Sequence, residues 1–470
     1  MGKQQNGDKR KTDEDGLKRV RKDHTECNAR IECVVQTEPR TKNRQRGAQE
    51  KICENFRGHA QKKADECSHP PQSHASSILP PMLRRMDFLL VGITVGLTFF
   101  GLAMIASVSV FESHQITQKL ADLGLRDGPS NSFYLLRSFS HVIVGLLVLG
   151  ITAIIPYHVW KRTAKAFFLL TLLLIIALFL PGIGNEYGTA RSWIVFGGFS
   201  LQPSEFLKLG LIFYLSVWLQ KREQLIGTFQ EGFLPFASLL LISTIPIALQ
   251  PDLGSFLVLS IIAGVLFFIA GGNVLHLFLG GGLAGIFGLP FILNEEYIRN
   301  RFKVFLFPDS PTMGETIGFQ IQQALIAIGS GGMFGLGYGK SIQKFGYLPE
   351  VQADMIFSAM AEELGFFRLL IIFFLYALFV WRGLRIARFA PDRFGFLVAT
   401  GITAWIASQT LLNFAVNLSL FPLTGLTLPF ISYGGSSLVT SLAAVGILLN
   451  ISTYSTEETR SRPSRPPALP

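Results

Sequence analysis

Asp354 stands in the stretch Tyr347-Leu-Pro-Glu-Val-Gln-Ala-Asp-Met-Ile-Phe, where a long polar segment gives way to a membrane-length apolar run. A carboxylate at such a boundary suits acid–base chemistry on a bilayer-anchored substrate, because a general base need only reach the proton it removes. Upstream, Ala190-Arg-Ser-Trp-Ile precedes Gln202-Pro-Ser-Glu-Phe-Leu-Lys. Arg191 offers a planar fork able to grip phosphate or pyrophosphate through two hydrogen bonds. Trp193 beside it fits a membrane interface. Glu205 and Lys208 are three residues apart on one helical face, where they either lock helices together or line a substrate path. A charge in a spanning helix costs roughly 2.5–3.5 kcal/mol at the bilayer centre, so both must face protein or water.

Further cations, Arg299, Arg301, Lys303, Lys340 and Lys344, make the segment 294–353 positive, as an anionic substrate would require. Its runs Gly329-Ser-Gly-Gly and Gly335-Leu-Gly-Tyr-Gly resemble phosphate-cradling loops only superficially, since no strand precedes them. Phe319-Gln-Ile-Gln-Gln-Ala-Leu-Ile-Ala-Ile suits a short amphipathic helix on the membrane surface, which a lipid-linked substrate would meet first. Past Asp354, on a continuous helix, Glu362 would lie about 80° round and about 12 Å deeper, and Glu363 on the opposite side, so neither is spaced as a second catalytic carboxylate. Arg368 is deeper still, and a partner on a neighbouring helix is expected. The last polar segment, Phe421-Pro-Leu-Thr-Gly-Leu-Thr-Leu-Pro-Phe-Ile-Ser-Tyr-Gly-Gly-Ser-Ser, breaks an apolar run with prolines and glycines. Backbone folding back into the membrane is expected there, with Ser432, Ser436 and Ser437 supplying hydroxyls.

These groups need a membrane scaffold. The chain has 470 residues, is 49% hydrophobic with 41 Phe, and is only 16% charged, which excludes an ordinary soluble protein. Ten apolar stretches, 87–111, 134–155, 164–181, 203–220, 233–249, 254–271, 273–293, 354–381, 394–417 and 434–452, predict an all-α polytopic membrane protein. Lys161, Arg162, Lys165, Lys221, Arg222, Arg382, Arg385, Arg388 and Arg393, with Arg460, Arg462 and Arg465, fall on one side. That places both termini in the cytoplasm and a long extracytoplasmic loop between helices 7 and 8.

Residues 1–85 hold 19 Lys/Arg against 12 Asp/Glu, +7 of the net charge of +10, and lack apolar periodicity. They read as a disordered cytoplasmic tail with no signal peptide. Cys27, Cys33, Cys53 and Cys67 all lie there without C-x2-C or H-x3-H spacing, so reduced thiols are expected rather than a zinc knuckle. Residues 86–452 form the membrane domain and 453–470 a short cytoplasmic tail; no nucleic-acid partner is expected.

Four ordered segments resemble one family. They are Ala190-Arg-Ser-Trp-Ile with Gln202-Pro-Ser-Glu-Phe-Leu-Lys-Leu, Leu249-Gln-Pro-Asp-Leu-Gly-Ser, Leu348-Pro-Glu through Asp354-Met-Ile-Phe with Glu362-Glu-Leu-Gly, and Leu426-Thr-Leu-Pro-Phe-Ile-Ser-Tyr-Gly-Gly-Ser-Ser. The chain resembles the FtsW/RodA/SpoVE (SEDS) peptidoglycan glycosyltransferases. The resemblance implies a ten-helix enzyme of the cytoplasmic (inner) membrane that polymerises lipid II on the outer face. It also implies that Asp354 is the catalytic residue of an inverting transfer and that positive charge, from a divalent cation such as Mg2+ with unknown ligands or from Arg and Lys, stabilises the leaving pyrophosphate. A class B penicillin-binding transpeptidase and other divisome membrane proteins are the implied partners. Pro422 through Phe430 lean towards the division enzyme FtsW, with RodA-like elongation as the alternative. Gln352-Ala353 and Met355 depart from the family's common His-Thr and aromatic residues, and Arg368 replaces a usually apolar or glycine position. A flippase or solute transporter is the rival reading, but Asp354 at the outer edge and the lack of an internal repeat argue against it.

Overall fold

The computed structural model describes residues 86–455 apart from 126, 182–183, 188–189, 197–198, 294–295 and 308–315. The basic tail with its cysteines, and the C-terminal Arg460, Arg462 and Arg465, lie outside the described residues.

The helices are α1 (Phe88–Val108), α2 (Val110–Asp122), α3 (Phe133–Ile154), α4 (Tyr157–Ala177), α5 (Pro203–Lys221), α6 (Leu234–Ala248), α7 (Leu253–Ile269), α8 (Val274–Leu293), α9 (Glu296–Leu306), α10 (Thr316–Gly331), α11 (Ile356–Arg388), α12 (Arg393–Asn417) and α13 (Gly435–Thr453). Each of the ten apolar stretches is helical, because a helix satisfies its own backbone away from water. Among the described residues six are long and apolar enough to cross a bilayer: α1, α3, α6 with the π-turn Phe229–Phe233 before it, α11, α12 and α13. The chain is a multi-pass membrane protein. In α13, 89% of the apolar window is buried, against 22% in α3, so α13 forms the centre and α3 the rim.

Starts and stops follow local chemistry. The Asp87 side chain caps α1 by accepting from Leu90 N and pairs with Arg382 on α11. Asp252 caps α7 through Ser255 N, and Asp392 caps α12 through Gly395 N. Pro203 opens α5, where its missing N–H leaves nothing unpaired.

The fold departs from the all-helical expectation at residues 184–201. There β1 (Gly184–Tyr187), β2 (Ala190–Phe196) and β3 (Phe199–Leu201) form an antiparallel sheet in the order β1-β2-β3, with Trp193 opposite Asn185 and Phe196 opposite Phe199. Gly197-Gly198 between those phenylalanines is a two-residue hairpin signal.

Two corrections concern α11. It begins at Ile356, so Asp354 lies in the turn before it rather than in the helix. The helix is also broken at Gly365, whose φ of 73° and ψ of 176° are non-helical. The loop after α10 fills the break: Leu336 N and Gly337 N donate to Glu362 O and Glu363 O, and Phe366 N and Phe367 N donate to Gly332 O and Met333 O. Arg368 reaches the loop carbonyl Phe334 O at 2.8 Å, not a neighbouring helix.

Candidate active site

Asp354 is held by its main chain. The Asn413 and Asn417 side-chain amides, one turn apart on α12, both donate to Asp354 O at 2.9 Å. Asn417 Oδ1 accepts from Ser358 Oγ at 2.7 Å, tying the same helix to the first turn of α11. The Asp354 side chain is buried, and its Oδ1 has no hydrogen-bond partner. Burial, then the Glu350 charge, raise the Asp354 pKa; Arg301 and the N–H groups of Asp354 and Met355 oppose the rise. A carboxyl in this state binds a proton more readily than a solvated one, as a general base requires.

The second wall is the irregular segment 418–434, which is mostly buried yet has side chains to satisfy its backbone. Leu423 O accepts from Arg301 Nη1 at 2.8 Å, Leu426 O from Asn413 Nδ2 at 2.7 Å, and Thr427 O from Gln409 Nε2 at 2.9 Å. Leu428 N donates to Ser432 Oγ, Tyr376 Oη donates to Pro429 O, and Tyr433 N donates to Gln352 O. Non-helical backbone is tolerated inside a helical membrane protein when it is satisfied in this manner.

Sequence reasoning counted Arg301 among the loop cations and quoted Asp252 in a motif, without placing either. Arg301, buried on α9, lies within Coulombic reach of both Asp354 and Asp252. The sequence likewise showed Glu350 in Leu348-Pro-Glu without a role assigned to it, and Glu112, Asn413 and Asn417 were passed over. Glu112 and Glu350 repel each other, and the Gln352 side chain hydrogen-bonds Glu112. The spacing of Glu112, Asn413 and Asn417 from Asp354 gave no signal, because contacts between distant segments carry no period.

The other candidate residues fall into three places. Glu205 and Lys208 form an ion pair of 2.7 Å in the interior, with Lys208 fully buried. Gln409 Oε1 accepts from Lys208 Nζ at 2.9 Å and from Trp405 Nε1 at 2.8 Å, and the ammonium lies 5.0 Å from the centre of the Trp405 ring. Through Gln409 this network reaches Thr427 and so the buried segment beside Asp354.

Lys344 turns inward, donating to Glu363 Oε1 at 3.2 Å and to Gly339 O at 2.6 Å, whereas Lys340 is exposed. Glu362 accepts from Ser341 Oγ and from Ile342 N and Gln343 N, so the two glutamates anchor the loop. Ser432 caps Leu428 N; Ser436 Oγ accepts from Gln202 N at 3.0 Å; Ser437 Oγ lies 3.0 Å from Thr427 Oγ1. Arg191 and half-buried Trp193 are on β2, which leads through β3 and Gln202 towards Ser436. Among the described residues no three His, Cys, Asp or Glu converge as metal ligands, so the donor set does not fit a cation held by protein alone.

The model of the FtsW/RodA/SpoVE cell cycle proteins matches residues 87–457. The chain belongs to this family. It is 40% identical over 371 residues to the stage V sporulation protein E of Bacillus subtilis, covering 78% of this chain and 97% of that protein. It is 38% identical over 373 residues to a probable peptidoglycan glycosyltransferase FtsW of Trichlorobacter lovleyi, covering 79% and 94%. A chain of a solved peptidoglycan synthase complex superposes with a TM-score of 0.63 at 26% identity, covering 79% of this chain and 99% of that one. The rod-shape-determining protein RodA of Thermus thermophilus gives 0.57 at 27% identity, covering 79% and 97%. Peptidoglycan glycosyltransferase activity is thus supported for this FtsW/RodA/SpoVE protein at the level of its family.

Proposed function

We propose that the protein polymerises lipid II, the lipid-pyrophosphate-linked disaccharide peptide, into glycan strands at the outer face of the cytoplasmic membrane, with Asp354 as general base. The observation that carries this reading is the enclosed Asp354 carboxyl, clamped through its main chain and with Oδ1 unpartnered. Asp354 withdraws the proton of the acceptor sugar's C4 hydroxyl as that oxygen attacks the anomeric carbon of the donor. The lipid pyrophosphate leaves with the bonding electrons, and the anomeric configuration inverts.

Arg301, Lys340, Arg191 and Trp193 are assigned to the pyrophosphate and sugar, together with hydroxyls of Ser432, Ser436 and Ser437. Glu205, Lys208 and Lys344 act from behind, by holding the walls of the site in place. Ten spans with both termini cytoplasmic would put Asp354 on the outer side. Any divalent cation belongs to the substrate's pyrophosphate in this reading. Septal synthesis is the favoured role, since FtsW and a sporulation protein are among the sequence relatives, and a class B penicillin-binding transpeptidase is the favoured partner, in keeping with the synthase complex.

The test is lipid II polymerisation by the purified protein, alone and with its transpeptidase, for wild type and Asp354→Asn. Glycan strands from wild type and none from a folded Asp354→Asn protein support the reading. Equal activity of the two removes Asp354 as the base, and lipid II transfer across liposomes without polymer favours a flippase.

A further inference from the structure

α1 is a ruler for the bilayer. From Phe88 to Ser107 it rises about 29 Å, close to the thickness of a hydrocarbon core. One end is marked by Asp87, paired with Arg382 on α11, and the other by Ser107, which donates to Glu363 Oε1 at 2.6 Å. Glu363 is therefore level with the edge of the apolar slab far from the Asp87–Arg382 pair. The residues after it on α11, Gly365 to Arg368, lie inside that edge.

The loop after α10 follows them in. Gly332 O and Met333 O accept from Phe366 N and Phe367 N, and Phe334 O accepts from Arg368 Nη1 at 2.8 Å. Tyr338 Oη donates at 2.6 Å to Ala103 O, which is four residues, or about 6 Å, short of Ser107 along α1. Residues 332–338 thus pass below the edge although they are not helical. Irregular backbone at that depth must find partners in the protein. Gly335 N donates to Gly331 O, Leu336 N to Glu362 O and Gly337 N to Glu363 O, so the loop turns its polar groups towards α10 and α11.

Its outward side is apolar. Phe334 is 71% exposed, and Met333 beside it is exposed as well. The Phe334 and Phe367 ring centres are 5.5 Å apart. Phe367, Ile371 and Phe374, spaced by four and then three residues, are the exposed apolar stripe of a helix long enough to cross a bilayer, and such a stripe faces acyl chains. Phe334 extends that lipid-facing surface from a segment that is not a helix. Arg368 gives the surface its charge. It is exposed, it bonds Phe334 O and Leu364 O through Nη1, and its long stem lets the remaining N–H donors reach phosphate from just inside the slab. Apolar chains below and phosphate above are what a phospholipid leaflet presents at this level.

We propose that residues 332–338 form a re-entrant wedge seated in the outer leaflet, with Met333 and Phe334 among the phospholipid acyl chains. The inference rests on the proposed function only for which leaflet is the outer one; the depth follows from α1. The same loop runs on through Ser341 and Lys344, buried against Glu362 and Glu363, to the turn of Asp354. The wedge thereby moors that turn to the leaflet in which a lipid-linked substrate diffuses.

The test places a nitroxide spin label by Phe334→Cys, and separately by Met333→Cys, in the full-length protein with serine in place of its four tail cysteines. The protein is reconstituted in phosphatidylethanolamine–phosphatidylglycerol bilayers. Collisions with oxygen, which concentrates among acyl chains, are compared with collisions with a water-soluble nickel chelate. Phe374→Cys on the α11 stripe is the lipid reference, and Lys119→Cys, exposed on α2, is the water reference. The oxygen-to-nickel ratio at 334 and 333 is expected to lie several-fold above that at 119 and to approach that at 374. Ratios at 334 and 333 no higher than at 119 would overturn the wedge. Adding the transpeptidase supplies the other occupant: a 334 label that it immobilises and shields from both reagents would assign the surface to a protein partner and overturn the lipid. These collisions need no catalysis. An inactive wild type therefore overturns the polymerase reading alone, and a nickel-favoured label at 334 and 333 overturns this inference alone.

Discussion

The Asn413 side chain donates to Asp354 O and, with the same nitrogen, to Leu426 O, so one amide joins the candidate base to the buried segment that walls it. Asn413→Ala removes both bonds; Asp354 O keeps its bond from Asn417 Nδ2, whereas Leu426 O loses its donor. Each unsatisfied group costs about 1–3 kcal/mol, so a lower unfolding midpoint is expected. Polymerisation should fall further than stability explains, because Asp354 loses its position. Thermal unfolding and initial rates on the same preparation separate the two effects.

Replacing the base has the opposite effect on stability. An enclosed carboxyl without a partner for one oxygen is unfavourable when ionised, and Asp354→Asn removes that charge. The variant is expected to unfold at the same or a higher temperature while losing polymerisation. An inactive variant that is also markedly less stable would contradict this account.

The pH dependence has a definite sign. The folded Asp354 pKa lies above its unfolded value, so the folded protein holds a proton that the unfolded chain releases. The contribution to stability is therefore largest below the ordinary carboxylate range and declines as pH rises through the raised value. Asp354→Asn should flatten that decline in an unfolding series. General-base catalysis by Asp354, as proposed, needs the ionised form, so the acid limb of polymerisation should lie nearer neutrality than for a solvated aspartate. Arg301→Gln should move that limb further up, since Arg301 opposes the rise.

Breaking the Glu205–Lys208 pair on one side only strands a buried charge. Glu205→Ala should cost about 3–5 kcal/mol, whereas Glu205→Leu with Lys208→Met should cost much less. If the pair instead gripped substrate, the double variant would lose activity with its stability intact. Unfolding midpoints and KM for lipid II discriminate the two roles.

Gly365→Ala should destabilise by at least about 2 kcal/mol. The left-handed backbone penalises a Cβ, and a Cβ there would come within 2.2 Å of Gly335 N. The loop that leads to Asp354 docks at this break, so limited proteolysis near residues 333–347 should accelerate.

Much of this organisation was readable in the chain. Apolar runs marked the six described helices that are long and apolar enough to cross a bilayer, and the abrupt change of polarity at Asp354 singled out that residue. The sheet at residues 184–201 went unread because charged and glycine-rich residues masked its alternation, although Gly197-Gly198 was a usable clue. Asn413 and Asn417 were invisible for a different reason. They lie 59 and 63 residues from Asp354, and an asparagine in an apolar helix does not announce its partner. Arg368 misled because a helix break that exposes a loop carbonyl was not anticipated.

The segment 418–434 has no regular structure, yet its backbone partners come from α9, α11 and α12, with a further bond to the turn that carries Asp354. Its shape is therefore a summary of how those elements are packed, and a shift of any one of them by a fraction of an ångström is delivered to the wall beside Asp354. Anything that leans on the outside of the bundle, whether a transmembrane helix of a partner or the thickness of the surrounding bilayer, thereby acquires a mechanical lever on the chemistry without touching the substrate.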